Sequence, residues 1–238
     1  MGGMGNATHD KQTNSFTRQI IFSVTVLLSA ALPASCASHS DEQEQNLKII
    51  AWDENKNSQQ LVSYTKEALL RHGRDLLTVV PKDISRYCPR YTTVSRQERL
   101  QFWSALISGL AWFESNHSSA VRYKERFADV RGKAVISRGL LQISRESANA
   151  YGCDITEANQ LHNPKVNINC GVKILNKWVG QEDQVIAQRR GGLLVKETWL
   201  GAAKYWSPFR DYSRIRSLAR ALKELPFCKS DANTRQRS

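Results

Sequence analysis

The chain has 238 residues, which is enough for one globular domain with a substantial hydrophobic core. Its hydrophobic fraction of 41% and charged fraction of 24% are ordinary for a folded soluble protein and argue against a disordered chain. The formal net charge of +12 favours anionic partners such as cell-wall polymer, lipid head groups or nucleic acid.

Residues 1–36 have the pattern of an export signal. Lys11 and Arg18 form a basic flank, and an apolar run of 13 residues, Ile20 to Leu32, follows. This run is too short to span a bilayer comfortably but suits the apolar core of a signal peptide. Small residues then close the segment, and its last five residues, Leu32-Pro33-Ala34-Ser35-Cys36, resemble the lipobox of bacterial lipoproteins.

The lipobox predicts lipid attachment at Cys36. Because residue 37 is Ala rather than Asp, the resemblance implies sorting to the outer membrane of a Gram-negative cell. The alternative is cleavage at an ordinary small-residue site, which would leave a soluble periplasmic or secreted protein. In either case residues 37–58, which are polar and acidic at their start, are expected to form a tether.

The cysteine count supports the lipid hypothesis. Five cysteines are an odd number for an exported protein, and lipid on Cys36 would leave four for two disulfides. Three pairings are possible; we favour Cys153 with Cys170, which closes a short loop, leaving Cys88 with Cys228. The cysteines lack CxxC spacing, which argues against a zinc ribbon or a thiol-redox site, and we expect neither metal nor cofactor.

The remaining residues, 59–230, are expected to form one mainly α domain, followed by a disordered tail at 231–238. Strand signals are sparse. The helices predicted from apolar spacing are Gln59–Arg71, Leu100–Glu114, Ser144–Tyr151, Val166–Val179, Leu193–Tyr205 and Tyr212–Leu222. Loops are expected at Pro81–Arg90, from Asn116 to Ile136, and at Arg189–Gly192.

The central helix carries the most informative residue, Glu114. A capping box, Ser95 with Glu98, predicts where this helix starts. At about 100° per residue, Leu100, Trp103 and the apolar residues after them share one stripe with Glu114. A carboxyl group on an apolar face should have a raised pKa, and such a group can deliver a proton near neutral pH.

Four blocks in order resemble the goose-type lysozyme and soluble lytic transglycosylase family, which cleaves peptidoglycan. The blocks are Glu114-Ser115, Gly139-Leu140-Leu141-Gln142, Asn163-Pro164 with Asn167 and Gly171, and Ala203-Lys204-Tyr205-Trp206-Ser207. The resemblance covers Leu100 to Pro208. Leu141 stands where the family has Met, and Trp206 where it has Asn. The fold it implies is a lysozyme-like domain.

The resemblance implies a role for each block. Glu114 would be the catalytic acid, and the substrate would contact Ser115, Ser137, Gly139, Leu140, Gln142 and Tyr205. Gln142 can donate and accept hydrogen bonds to sugar groups, and Tyr205 could stack on a sugar or orient the acid. Asn163, Asn167 and Gly171 would fix loop and helix-start geometry.

The implied reaction is that of a lytic transglycosylase. Glu114 would protonate the oxygen between N-acetylmuramic acid and N-acetylglucosamine, then act as base while the muramyl 6-hydroxyl closes a 1,6-anhydro ring. The alternative enzyme is a lysozyme-type hydrolase, which needs a second carboxylate to activate water, with Asp129 or Glu125 as candidates.

Alternatives outside enzymes also follow from charge and signal. A non-catalytic cell-wall-binding lipoprotein would use the positive charge to dock. Nucleic-acid binding has only the charge behind it, without a recognition motif, so we expect no nucleic-acid partner. The expected partners are glycan strands of peptidoglycan, a membrane through the lipid on Cys36, and other cell-wall or secretion-machinery proteins.

Overall fold

The structure is a computed structural model that describes residues 50–52, 57–192 and 195–229. The predicted signal, Cys36, most of the predicted tether and the predicted tail at 231–238 lie outside the described residues. Within the described ranges, no helix has both the length and the apolar character needed to cross a membrane.

The domain is mainly α, as predicted. Its helices are α1 (Ser58–His72), α2 (Arg74–Thr78), α3 (Arg96–Ser115), α4 (Arg145–Ala150), α5 (Pro164–Leu175) and α6 (Tyr212–Lys223). Short 3-10 turns connect several of them, and a π-helical segment, Asn176–Asp183, extends α5. Five of the six predicted helices are confirmed, with ends shifted by a few residues.

Helix α3 is the centre of the core. The Ser95 hydroxyl accepts a hydrogen bond from the Glu98 N–H, and the Glu98 carboxylate accepts one from the Ser95 N–H, which confirms the predicted capping box. Buried positions run around the whole helix from Phe102 to Ala111, not along one stripe only. Such a helix is enclosed by its neighbours, and α1 and α6 both pack against it.

Two small antiparallel β-sheets lie where the sequence predicted a loop or a helix. The first is a three-stranded antiparallel sheet, with β1 (Arg122–Ala128), β2 (Ala134–Arg138) and β3 (Ile143–Ser144) in that order. It replaces the long loop expected before Ile136. The second pairs β4 (Ala187–Gly192) with β5 (Val195–Gly201), so the helix expected at Leu193–Tyr205 and the loop at Arg189–Gly192 were wrong.

Two disulfides link distant parts of the chain. Cys88 bonds to Cys228, joining the segment before α3 to the end of the domain. Cys153 bonds to Cys170, joining the loop after α4 to α5. This is the pairing that the sequence favoured, and both bridges pack against the same hydrophobic core.

Candidate active site

Glu114 lies at the last turn of α3, where the helix meets an open cavity. Asn116 ends the helix in the left-handed conformation, with φ of 50°, so the chain turns away directly after Ser115. The Glu114 side chain is half-buried. It faces a cavity of about 580 Å³ lined by Glu114, Val121, Arg122, Tyr123, Glu125, Phe127, Val135, Ser137, Gln142, Ser144, Ser147, Lys204, Tyr205, Trp206, Ser207 and Arg210.

The environment of Glu114 favours its protonated form. Burial is the main cause, and it raises the pKa of the carboxyl group from 4.5 to about 7. The positive charge of Arg214 lowers this pKa, and the negative charge of Glu125 raises it. The raised pKa expected from the sequence is therefore confirmed, and at neutral pH the group can either give or accept a proton.

Glu125 is the second carboxylate of the cavity. It lies on β1 and accepts a hydrogen bond of 2.6 Å from the Ser137 hydroxyl on β2. The pairing of β1 with β2 changes register between Lys124 and Ala128, so Glu125 lies in an irregular part of this strand pair. Both Glu125 and Ser137 line the cavity.

Asp129, the other sequence candidate for a second carboxylate, lies at the turn of the β1–β2 hairpin. Its Oδ1 accepts hydrogen bonds from the backbone N–H groups of Arg131, at 2.9 Å, and Lys133, at 2.8 Å. It stabilises the turn and lines a separate groove rather than the cavity of Glu114. Of the two sequence candidates, the geometry therefore favours Glu125.

Three residues expected to contact substrate are instead part of the internal packing. The Ser115 hydroxyl is buried and donates to the carbonyl oxygens of Leu140, at 2.9 Å, and Ala111, at 3.1 Å. Leu140 is fully buried in the core. Gly139 has φ of +75°, and a Cβ there would clash with the Leu161 carbonyl and the Asn167 amide. The glycine is needed for close packing within the protein.

Gln142 does line the cavity, and its amide is partly committed to the loop that carries it. Its Nε2 donates to the carbonyl oxygens of Gly139, at 2.7 Å, and Val121, at 3.2 Å. These bonds hold the end of the Gly139–Gln142 loop against the segment leading into β1. The Oε1 atom is buried without a hydrogen-bond partner.

The Asn167 side chain on α5 holds this loop in place through three hydrogen bonds. Its Oδ1 accepts from the Leu141 N–H at 2.9 Å, and its Nδ2 donates to the carbonyl oxygens of Arg138 and Leu161, each at 2.9 Å. Asn163 caps α5 by accepting from the N–H groups of its first turn. At Gly171 a Cβ would clash with the Leu141 side chain. These contacts agree with the structural roles expected for the three residues.

Tyr205 and Trp206 also line the cavity. The Tyr205 ring packs edge-on against Tyr151, with centroids 5.8 Å apart, and its hydroxyl bonds to Ser147. Burial raises the pKa of Tyr205 well above its usual value, so the hydroxyl stays protonated. Trp206 is buried, and its indole N–H donates to the Leu141 carbonyl at 2.9 Å, so this side chain also fixes the loop.

Sequence reasoning missed several residues of the cavity. Arg214 contacts the Phe113 ring, and its charge acts on Glu114. Tyr123 and Phe127 lay in a segment read as loop, and both line the cavity. In that segment the alternation of Tyr123, Glu125 and Phe127 with basic residues was the available signal. His117 is a buried residue just after the end of α3, and its ring bonds to the Ser108 carbonyl.

In residues 57–192 and 195–229, together with the short segment 50–52, no group of three or more His, Cys, Asp or Glu side chains is arranged to hold a metal ion.

Comparisons with known proteins agree with the fold. Residues 92–203 match the family model described as the transglycosylase SLT domain. Three solved structures of DslA, one wild-type and two carrying a glutamate-to-glutamine substitution, match with 38% sequence identity and a TM-score of 0.69. Each match covers 74% of this chain and 95% of the other. No curated protein sequence matches.

Proposed function

We propose that this chain, which belongs to the transglycosylase SLT family of peptidoglycan lytic enzymes, cleaves the β-1,4 bond between N-acetylmuramic acid and N-acetylglucosamine. Glu114 is the proton donor in this proposal. The observation that carries the proposal is the position of Glu114. It is half-buried at the end of a core helix, it faces the cavity, and its pKa is raised to about 7. A proton donor to a glycosidic oxygen needs these three properties together.

The first route for completing the reaction uses Glu114 alone. The protonated carboxyl donates its proton to the glycosidic oxygen while the bond from that oxygen to the muramyl anomeric carbon breaks. The 6-hydroxyl oxygen of the same muramyl residue then bonds to the anomeric carbon, and its proton passes to the Glu114 carboxylate. The products are a 1,6-anhydro end and a free N-acetylglucosamine end, and Glu114 is again protonated.

The second route is hydrolysis, and the position of Glu125 favours it. A water molecule would attack the anomeric carbon, and its proton would pass to the Glu125 carboxylate. Glu125 lines the same cavity as Glu114, and its charge raises the pKa of Glu114. The two substituted glutamates of DslA are eleven positions apart, as are Glu114 and Glu125. This match supports a role for both glutamates in this chain.

The test is mass spectrometry of the fragments released from purified sacculi by wild type, Glu114→Gln and Glu125→Gln. We expect Glu114→Gln to release at least about 1,000-fold less material, because an amide N–H is too weak an acid to protonate the glycosidic oxygen. Wild-type digestion by Glu114→Gln would instead support the non-catalytic wall-binding alternative. Glu182→Gln, a matched change at an exposed glutamate paired with Lys177, should behave as wild type.

The same digestion distinguishes the two routes. Anhydro ends, with Glu125→Gln retaining most of the activity, indicate the intramolecular route. Reducing ends, with Glu125→Gln as inactive as Glu114→Gln, indicate hydrolysis.

We also propose export to the periplasm, with Cys36 as the lipid anchor. Two disulfides within the domain suit an oxidising compartment, and they account for every cysteine except Cys36. The mass of the mature protein from membranes tests this, since lipid on Cys36 adds acyl mass that Cys36→Ala lacks. Full-length Cys36→Ala should leave the membrane fraction.

A further inference from the structure

The β1 strand presents two exposed aromatic side chains to the cavity. Tyr123 is 51% exposed and Phe127 is 63% exposed, and both line the cavity on either side of Glu125 in the sequence. Six large hydrophobic side chains are strongly exposed in the described part of the chain: Leu70, Val80, Tyr123, Phe127, Val130 and Tyr212. Three of the six therefore belong to the β1–β2 hairpin.

Nothing in the fold requires these two rings to be aromatic. The hairpin does not bury them in the core, and most of β1 is exposed along its length. Exposed apolar side chains gathered in a groove are typical of a site that a ligand covers. Scattered exposed hydrophobic residues need no such explanation, but two aromatic rings facing the cavity of Glu114 form a local surface.

The surroundings of the rings are suited to a sugar chain. A pyranose ring has a flat face of C–H groups and a rim of hydroxyl groups, so it needs an apolar surface beside polar partners. Tyr123 and Phe127 provide the apolar surface, while the carboxylate of Glu125, to which the buried Ser137 hydroxyl donates, provides hydrogen-bond acceptors. The cavity is open rather than closed, as an extended glycan strand requires.

We propose that Tyr123 and Phe127 form a stacking platform that binds glycan rings of the substrate strand next to Glu125. The proposal rests on the proposed function, because it takes the occupant of the cavity to be a peptidoglycan glycan strand. Tyr123, Glu125 and Phe127 are alternate residues of β1, and both rings and the carboxylate line the same cavity. The platform acts on binding, and the chemistry stays with the carboxylates.

The kinetic test uses Tyr123→Ala, Phe127→Ala and the double variant with soluble uncrosslinked glycan strands. We expect KM to rise about tenfold for each single variant and about 100-fold for the double variant, with kcat within about threefold of wild type. Tyr123→Phe and Phe127→Tyr should keep wild-type KM, because they keep a ring. Phe127→Leu should resemble Phe127→Ala, because stacking needs the flat ring and not only apolar area.

Two control variants remove exposed apolar side chains elsewhere. Val130→Ala alters the tip of the same hairpin, and Tyr212→Ala removes a ring, 49% exposed, that lies outside the cavity. Both should keep wild-type KM. An unchanged KM in a folded double variant would overturn the proposal, and so would a rise in KM for both controls equal to that of the platform variants.

A binding measurement separates this proposal from the proposed function. Co-sedimentation of inactive Glu114→Gln with purified sacculi should weaken about 100-fold when both rings are removed. If Glu114→Gln is inactive but binding does not depend on the rings, the platform is wrong and the function stands. If Glu114→Gln digests sacculi while ring removal weakens sedimentation, the catalytic assignment is wrong and the platform stands.

Discussion

Glu114 occupies the boundary between the hydrophobic core and the cavity. Residues Phe102 to Ala111 of α3 are buried, Trp112 and Phe113 are half-buried, and the chain turns away immediately after Ser115. The carboxyl group therefore loses much of its hydration while it keeps access to a ligand. Arg214 lowers the pKa of Glu114 and Glu125 raises it. Substituting each of these two neighbours by itself should therefore shift the pKa of Glu114 in opposite directions.

The alkaline limb of the activity profile should follow the pKa of Glu114. The acid must be protonated to donate, so kcat/KM should fall about tenfold for each pH unit above about 7. Removing the positive charge in Arg214→Ala should move this limb to higher pH, and removing the negative charge in Glu125→Gln should move the limb of any residual activity to lower pH. Initial rates on soluble glycan between pH 5 and 9 measure both shifts. Shifts in the same direction would contradict the assignment.

Burial of Glu114 should also make stability depend on pH. The pKa of this group is about 7 in the folded protein and near 4.5 when unfolded, so the folded state holds its proton more tightly. The resulting stabilisation is fully present below about pH 4.5 and is lost as pH rises through about 7. Glu114→Gln cannot ionise and should avoid this loss. Urea unfolding at pH 5 and pH 8 should show the variant gaining stability relative to wild type at the higher pH; a gain at the lower pH would contradict it.

At this scale the sequence was informative where local pattern and chemistry coincide. Glu114 stood out because it ends an apolar helix, and its raised pKa follows from that position. The inward roles of Ser115 and Gly139 could not be predicted, because their partners, Leu140 and Asn167, come from other segments of the chain. The arrangement of a loop in space decides which of its residues face a cavity.

Helix α5 holds the cavity loop from behind. Asn167 makes three backbone hydrogen bonds: to Leu141 within the loop, to Arg138 directly before it, and to Leu161 in the segment before α5. Gly171 lets the Leu141 side chain pack directly on the helix. Trp206 adds a fourth bond, to the Leu141 carbonyl. The conformation of the Gly139–Gln142 loop, and with it the position of Gln142, therefore depends on elements distant in sequence.

Asn167→Ala should be among the costly single substitutions in the domain. It leaves one buried backbone donor and two buried acceptors without their partner, which we expect to cost about 3 kcal/mol or more of unfolding free energy. Asn163→Ala is the matched control on the same helix, since loss of its cap should cost about 1 kcal/mol. Chemical denaturation measures both. Equal losses of unfolding free energy in the two variants would show that the Asn167 hydrogen bonds do not hold the loop.

The helices were predictable from sequence and the strands were not. The capping box and the apolar spacing predict helix α3, and Asn163-Pro164 predicts the start of α5. In strand β1, Tyr123, Glu125 and Phe127 alternate with basic residues, but nearly every side chain is exposed and the middle one of the three is charged. The strand therefore lacks the regular apolar–polar pattern that marks a half-buried strand. In strand β5, Val195 and Trp199 are four positions apart, a spacing that also fits one face of a helix. Pairing with β4 overrides that local pattern.

The two disulfides constrain the whole molecule to different degrees. Cys88 and Cys228 are 140 residues apart and tie the segment before α3 to the end of the domain. Cys153 and Cys170 are 17 residues apart and tie only the loop after α4 to α5. In the loop-entropy account, a cross-link stabilises by restricting the unfolded chain, so the longer loop should contribute more.

Removing the long-range disulfide should therefore cost more than removing the short one. We expect the double variant of Cys88 and Cys228 to Ala to lose about 5 kcal/mol, and the double variant of Cys153 and Cys170 to Ala about 3 kcal/mol. Urea unfolding of the oxidised proteins measures the difference. Wild type unfolded with a reductant present should lose about as much as the two variants together. A larger loss from the Cys153–Cys170 pair would mean that it acts mainly on the native state, by holding α5 and the loop that Asn167 supports.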